Sequence, residues 1–135
     1  LNSIYGRDHN HVYTLTGAQK EIDASTFVAL GPTSHWFNTY NSYGKDEKRV
    51  YHLTVGGKAC VLKNADAESF NARGNGFGSD KSAVYFERNV LSGADPGDWE
   101  HLRGPHSRSG KRGYCLNKRI RGADGRYMES LPILG

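Results

Sequence analysis

The chain has 135 residues, a length that suits one domain with a modest core. No run of 18 apolar residues occurs, which excludes a transmembrane helix; with 17 glycines, eight tyrosines and no long amphipathic pattern, the composition favours an all-β domain rich in turns. The formal net charge of +4 is unevenly spread: between Arg103 and Arg126 eight basic residues face a single acid, Asp124, so this window carries +7 and the rest of the chain is acidic.

In chain order, the sequence opens at Leu1 without a methionine or a signal peptide, as a processed or trimmed product does. "DHNHVY", Asp8 to Tyr13, places a turn-forming Asp before two strand-forming residues. A second Asp follows at Asp23, with Phe27 four residues later and Leu30 three further on. "HWFNTYNSY", His35 to Tyr43, is an insertion that carries Trp36 and Phe37. Alternation turns one of those two inward and one outward, as a partner contact or as an extra strand over a sheet edge. "DEKRVY", Asp46 to Tyr51, restarts the pattern, and "VYHLTVGGKACVL" predicts a hairpin with Gly56 and Gly57 at its tip, where positive φ costs little. Asp66 and Phe70 close that stretch.

"GNGFGSDKS", Gly74 to Ser82, lacks the spacing of a phosphate-cradling loop and leads into a strand, so it reads as a connector. "DKSAVY", Asp80 to Tyr85, is the third copy; "VYF", "ERN" and "VLS" predict a second hairpin. In its closing "ADPGDW", Asp95 reads as a helix N-cap and Pro96 as the first helical residue, which would put Trp99 and Leu102 on one face of a short helical turn. The fourth copy, "SGKRGY" from Ser109 to Tyr114, has lost both the Asp and the Val; Asn117 and Lys118 form its predicted turn, and Asp124, Met128 and Leu131 close it.

Four units matched at both ends point to a repeat architecture, in which each unit buries its apolar face on its neighbours. The predicted fold is all-β with short helical turns: four hairpin or meander units, spanning about 5–30, 43–73, 77–102 and 106–131, in one domain. Asp8, Asp46 and Asp80, with Asp23, Asp66, Asp95 and Asp124, are the predicted turn and cap residues.

Other chemistry is sparse. His9 and His11 could share a strand face, but no third ligand of matching spacing follows, and no metal or cofactor is expected. There is no nucleophile elbow, and apart from Asp98 and Glu100 the acids mostly fall at repeated turn positions, so no catalytic residue and no enzyme is expected. Cys60 and Cys115 would form a disulfide if their strands were neighbours in an oxidising compartment; otherwise they are two buried thiols. Arg108, Lys111, Arg112, Lys118, Arg119 and Arg121 form a basic block that suits an acidic partner surface or a solvated hairpin. Nucleic acid is not the expected partner, because no RNA-recognition or helix-turn-helix pattern accompanies the charge.

The motif "Asp-Lys-x-x-Val-Tyr … Gly-Ala-Asp-x-x-x-aromatic", clearest in "SDKSAVYFERNVLSGADPGDWEHL", resembles the DKNYY family of bacterial repeat proteins. The resemblance implies a protein exported by a Gram-negative cell, periplasmic or lipid-anchored upstream of Leu1. It also implies a non-enzymatic binding role, specifically an immunity protein that inhibits a secreted antibacterial effector. The alternative is a binder of cell-envelope polysaccharide or a small ligand through tyrosine-rich faces.

Overall fold

The structure, a computed structural model, describes residues 5–30, 43–54 and 56–134. Trp36 and Phe37 lie outside the described residues. Among the described residues fifteen short strands build four antiparallel sheets. The first sheet has β1 (Gly6–Arg7), β2 (Val12–Thr14) and β3 (Gly17–Gln19). The second has β4 (Val28–Leu30), β5 (Tyr43–Lys45), β6 (Val50–Leu53) and β7 (Ala59–Val61). The third has β8 (Asn71–Gly74), β9 (Phe77–Ser79), β10 (Val84–Phe86) and β11 (Asn89–Val90). The fourth has β12 (Trp99–His101), β13 (His106–Ser109), β14 (Arg112–Cys115) and β15 (Lys118–Arg119). Each is a meander whose strands follow chain order, so every pairing is local.

The Val-Tyr pairs start the second-last strand of each of the first three sheets because β-branched and aromatic side chains fit a pleated surface. Both predicted hairpins form. β6 pairs with β7 around Gly57 at φ 91°, and β10 pairs with β11 around Glu87 at φ 53°. Glu87 is held in that left-handed conformation from both sides: its N–H donates to the Gly76 carbonyl at 2.7 Å and its carbonyl accepts the Tyr43 hydroxyl at 2.8 Å.

The "ADPGDW" segment is not a helix. The N–H groups of Asp98 and Trp99 return to the Asp95 carbonyl in one tight turn, and Trp99 then starts β12. The same holds upstream, where Phe27 and Phe70 directly precede β4 and β8. The last residues of the first three sequence units therefore hydrogen-bond into the following sheet, and Trp99 pairs across to Ser109 instead of sharing a helical face with Leu102. Among the described residues one helical turn stands, a 3-10 turn at Gly125–Tyr127 with Asp124 as its N-cap.

The core is split into three clusters, each drawn from two consecutive sheets. Val12, Ile22, Phe27, Tyr51 and Leu53 join the first sheet to the second. Tyr43, Val50, Leu62, Phe70 and Tyr85 join the second to the third. Phe77, Val84, Leu91, Trp99 and Tyr114 join the third to the fourth. Such an array is stabilised by nearest-neighbour contacts, because no single sheet has enough apolar area to fold alone.

Candidate functional site

The junctions between sheets absorb most of the recurrent polar residues. At the second sheet, one oxygen of Asp46 accepts the N–H groups of Lys48 and Arg49 at 2.9 and 2.8 Å, closing the turn before β6. The other oxygen accepts the Tyr51 hydroxyl at 2.8 Å and, across the junction, the N–H of Asp23 at 3.0 Å. Asp80 repeats this set with Ser82, Ala83, Tyr85 and the N–H of Asp66. The bond is returned: Thr26 and Ser69 hydroxyls accept the N–H groups of Glu47 and Lys81, both at 2.9 Å. The first two junctions also seat a ring on a glycine. A Cβ on Gly44 would lie 2.2 Å from Phe27 Cζ, and one on Gly78 would lie 2.4 Å from Phe70 Cζ.

Burial alone would raise the pKa of Asp46 and Asp80, but four hydrogen bonds outweigh it, and both carboxyls are held below their ordinary value. For Asp46 the bonds that win come from Asp23, Tyr51, Lys48 and Arg49. Burial, followed by the bond to the aspartate, raises the phenols of Tyr51 and Tyr85. These groups are fixed in one protonation state across the neutral range, which suits scaffold and not proton transfer.

The turn-closing aspartates act in the same local way. Asp23 accepts from the Ser25 N–H, Asp66 from Ser69, Asp95 from Gly97 and Asp124 from Arg126. Exposed Asp8 accepts from Asn10, His11 and the Tyr13 hydroxyl, and that hydroxyl above all lowers its pKa to about 2. In the fourth unit Ser109 stands in the Asp position: its hydroxyl accepts the Asp95 N–H at 2.8 Å and donates to Asp98. Tyr114 turns to the Ser92 carbonyl at 2.6 Å, so the junction survives the loss of the Asp.

The basic block divides. Arg108 is half-buried, pairs with Glu100 at 2.9 Å and reaches the Gly125 and Arg126 carbonyls, so it braces the last turn and is not free for a partner. Arg112 lies against Gly93, where a Cβ would stand 2.7 Å from its Nε. Arg126 pairs with Asp124 at 2.7 Å. Lys118 and Arg119 form the outer strand β15, Arg121 follows them, and Lys111 lies at the other end of β14; all four are exposed and make no ion pair among the described residues. Lys118, Arg119 and Arg121 thus leave exposed positive charge at and just beyond one sheet edge.

Cys60 and Cys115 are free and half-buried: β7 and β14 belong to the second and fourth sheets, so the neighbouring strands a bridge requires are not there. Of the tyrosines, Tyr43, Tyr51, Tyr85 and Tyr114 are buried and their hydroxyls bonded, so these four offer no open face for a saccharide, whereas Tyr13 and Tyr127 are exposed. His9 and His11 gain no partner ligands, and among the described residues no cluster of three His, Cys, Asp or Glu could hold a metal ion. No helix of the described residues is long and apolar enough to cross a membrane.

One feature absent from the sequence reading is His52. It is 1% exposed, and neither ring nitrogen has a hydrogen-bond partner. Burial, aided by Arg88, lowers its pKa to about 4; the Glu87 carboxylate at 3.9 Å is too far for a hydrogen bond that would reverse this. The ring is neutral at pH 7 and stacks beside Tyr43 with centroids 5.4 Å apart. Only its place in "VYHL", at the position the other copies fill with Thr, Phe and Cys, marks it in the sequence.

Successive three- and four-stranded meanders, locked by an Asp-Tyr pair at the first two junctions and by Ser109 at the third, define a repeat protein. The model of the DKNYY family matches residues 1–118, and the chain belongs to that family. No curated protein and no solved structure matches it.

Proposed function

We propose that the chain is a non-enzymatic protein-binding module, an exported immunity protein that occludes a secreted antibacterial effector presenting an acidic surface. The observation that carries this reading is the division of its charges. The recurrent aspartates are committed to turns and junctions, whereas Lys118 and Arg119 on the outer strand, and Arg121 just after it, make no ion pair among the described residues. A catalytic acid or base needs a titratable group poised near the working pH, and the junction carboxyls of Asp46 and Asp80 are held below their ordinary value. Periplasmic residence, or an anchor upstream of Leu1, follows from the same reading, because an immunity protein must meet its effector where that effector acts.

The test is association kinetics with the effector protein recovered from the native cell envelope. Complementary charge mainly accelerates encounter, so raising salt should slow association more than it speeds release. Replacing Lys118, Arg119 and Arg121 together by Glu should lower the on-rate about tenfold or more while leaving the fold intact. An unchanged on-rate removes β15 from the interface. Turnover of a small substrate, lost on a single substitution, would overturn the binding reading itself.

A further inference from the structure

His52 buries two polar atoms that nothing in the fold uses. Its ring nitrogens have no hydrogen-bond partner, although folded proteins leave few buried polar groups unpaired. The architecture does not call for a histidine there, since the third unit places Phe86 at the same position of its hairpin.

The group that shares its surface is a thiol. Cys60 on β7 stands directly opposite His52 on β6. Residues so paired project from the same face of the sheet, with Cβ atoms about 4.5–5.5 Å apart. A metal ion bridges such a gap, with bonds of about 2.3 Å to sulfur and 2.0 Å to nitrogen in the case of zinc. Cys60 is a free thiol on the outer strand and only half-buried, so an ion can reach it from solvent. On the other side of His52 lies Tyr43, whose hydroxyl is committed to the Gly76 and Glu87 carbonyls. The Glu87 carboxylate stands 3.9 Å from His52 Nε2. A metal-bound histidine commonly gives its second ring N–H to a carboxylate, and an approach of about 1 Å lets Glu87 accept it. Burial, with Arg88 nearby, keeps the ring neutral at pH 7, the form that binds metals.

We infer that His52 Nδ1 and Cys60 Sγ together bind one copper(I) ion, with Glu87 orienting the ring through Nε2. Structural zinc takes four ligands, and among the described residues no three His, Cys, Asp or Glu cluster to supply them. Copper(I) is satisfied by two ligands in a near-linear arrangement, and thiolate softness favours it. On binding, the Cys60 thiol releases its proton to solvent. The thiolate then cancels the charge of the monovalent ion, so the bound group is neutral where burial penalises charge. The ion ties β7 to β6, and Glu87 links it to the third sheet, so occupancy stiffens the second junction. Cys115 also faces a histidine, His106 across β13 and β14, but that ring already bonds Ser130. This inference is independent of the effector reading above.

Titration of the full chain with copper(I), in competition with a coloured copper(I) chelator and without oxygen, tests it. The wild type should withdraw one equivalent from the chelator. Bound copper should protect Cys60 from alkylation and leave Cys115 reactive, as read by peptide mass. Cys60→Ser and His52→Leu should each weaken binding by at least about a hundredfold. Cys115→Ser, and a joint His9→Ala and His11→Ala variant, should bind like the wild type. A wild type that withdraws no copper, a Cys60→Ser or His52→Leu protein that binds as the wild type does, a Cys115→Ser protein that loses binding, or zinc that protects Cys60 as well as copper does each overturns the inference.

Discussion

Replacing Asp46 by Ala removes the acceptor of four hydrogen bonds in one step. Two of the donors, the N–H groups of Lys48 and Arg49, lie in an exposed turn and can turn to water. The other two cannot do so easily: the Tyr51 hydroxyl belongs to a side chain only 1% exposed, and the Asp23 N–H points into the junction. Leaving a buried donor unsatisfied costs about 1–3 kcal/mol, so the two together place the loss at about 3–5 kcal/mol. For a chain of this size that lowers the melting temperature by about 10–15 °C. Asp8→Ala is the internal control, since Asp8 makes the same local bonds but is exposed and holds no junction. Urea denaturation followed by circular dichroism measures both variants. Asp8→Ala must cost clearly less than Asp46→Ala; equal losses would mean that turn closure alone matters and that the bond to Asp23 contributes nothing.

Two further perturbations probe the core. His52 is neutral when folded, with its pKa near 4, but titrates near 6.5 when unfolded. Below that value the unfolded chain takes up a proton that the folded chain refuses, so stability is lost as pH falls from about 6.5 towards 4. The loss by pH 5 is about 2 kcal/mol, and His52→Leu should abolish it; a variant that loses stability over that range as the wild type does would remove His52 as the cause. Gly78→Ala introduces a methyl 2.4 Å from Phe70 Cζ, and Phe70 is fully buried between Tyr43 and Tyr85. Overpacking of this kind costs about 1–3 kcal/mol, whereas Gly6→Ala should be silent in thermal melts.

The parts of the fold legible in sequence were those carried by near neighbours. Asp80 and Tyr85 are five residues apart and bond directly, and the Glu87–Arg88 turn links strands that adjoin in the chain. What escaped reading depends on distant partners. A large apolar residue four after an Asp fits a helical turn as well as a turn that opens a strand, and only the pairing of Trp99 with Ser109 decides between them. The junction bond from Asp23 to Asp46 spans 23 residues and uses a backbone N–H, so no side-chain pattern announces it. Arg108 looked available because its partner Glu100 lies one strand away, in a register that composition does not specify.

The link between the first and second strands of a sheet has no constant length. It takes the two residues Asn75 and Gly76 in the third sheet, the four residues 102–105 in the fourth, and the twelve residues 31–42 in the second. All three links leave from strands that lie outside the Asp-Tyr contacts, so length can change there without shifting the register of any junction. A longer loop costs little extra closure entropy, since that cost grows only with the logarithm of length. Insertions and deletions at these links are therefore the cheapest way for such a chain to diversify its surface while keeping its architecture, and sequence drift among related chains should concentrate there.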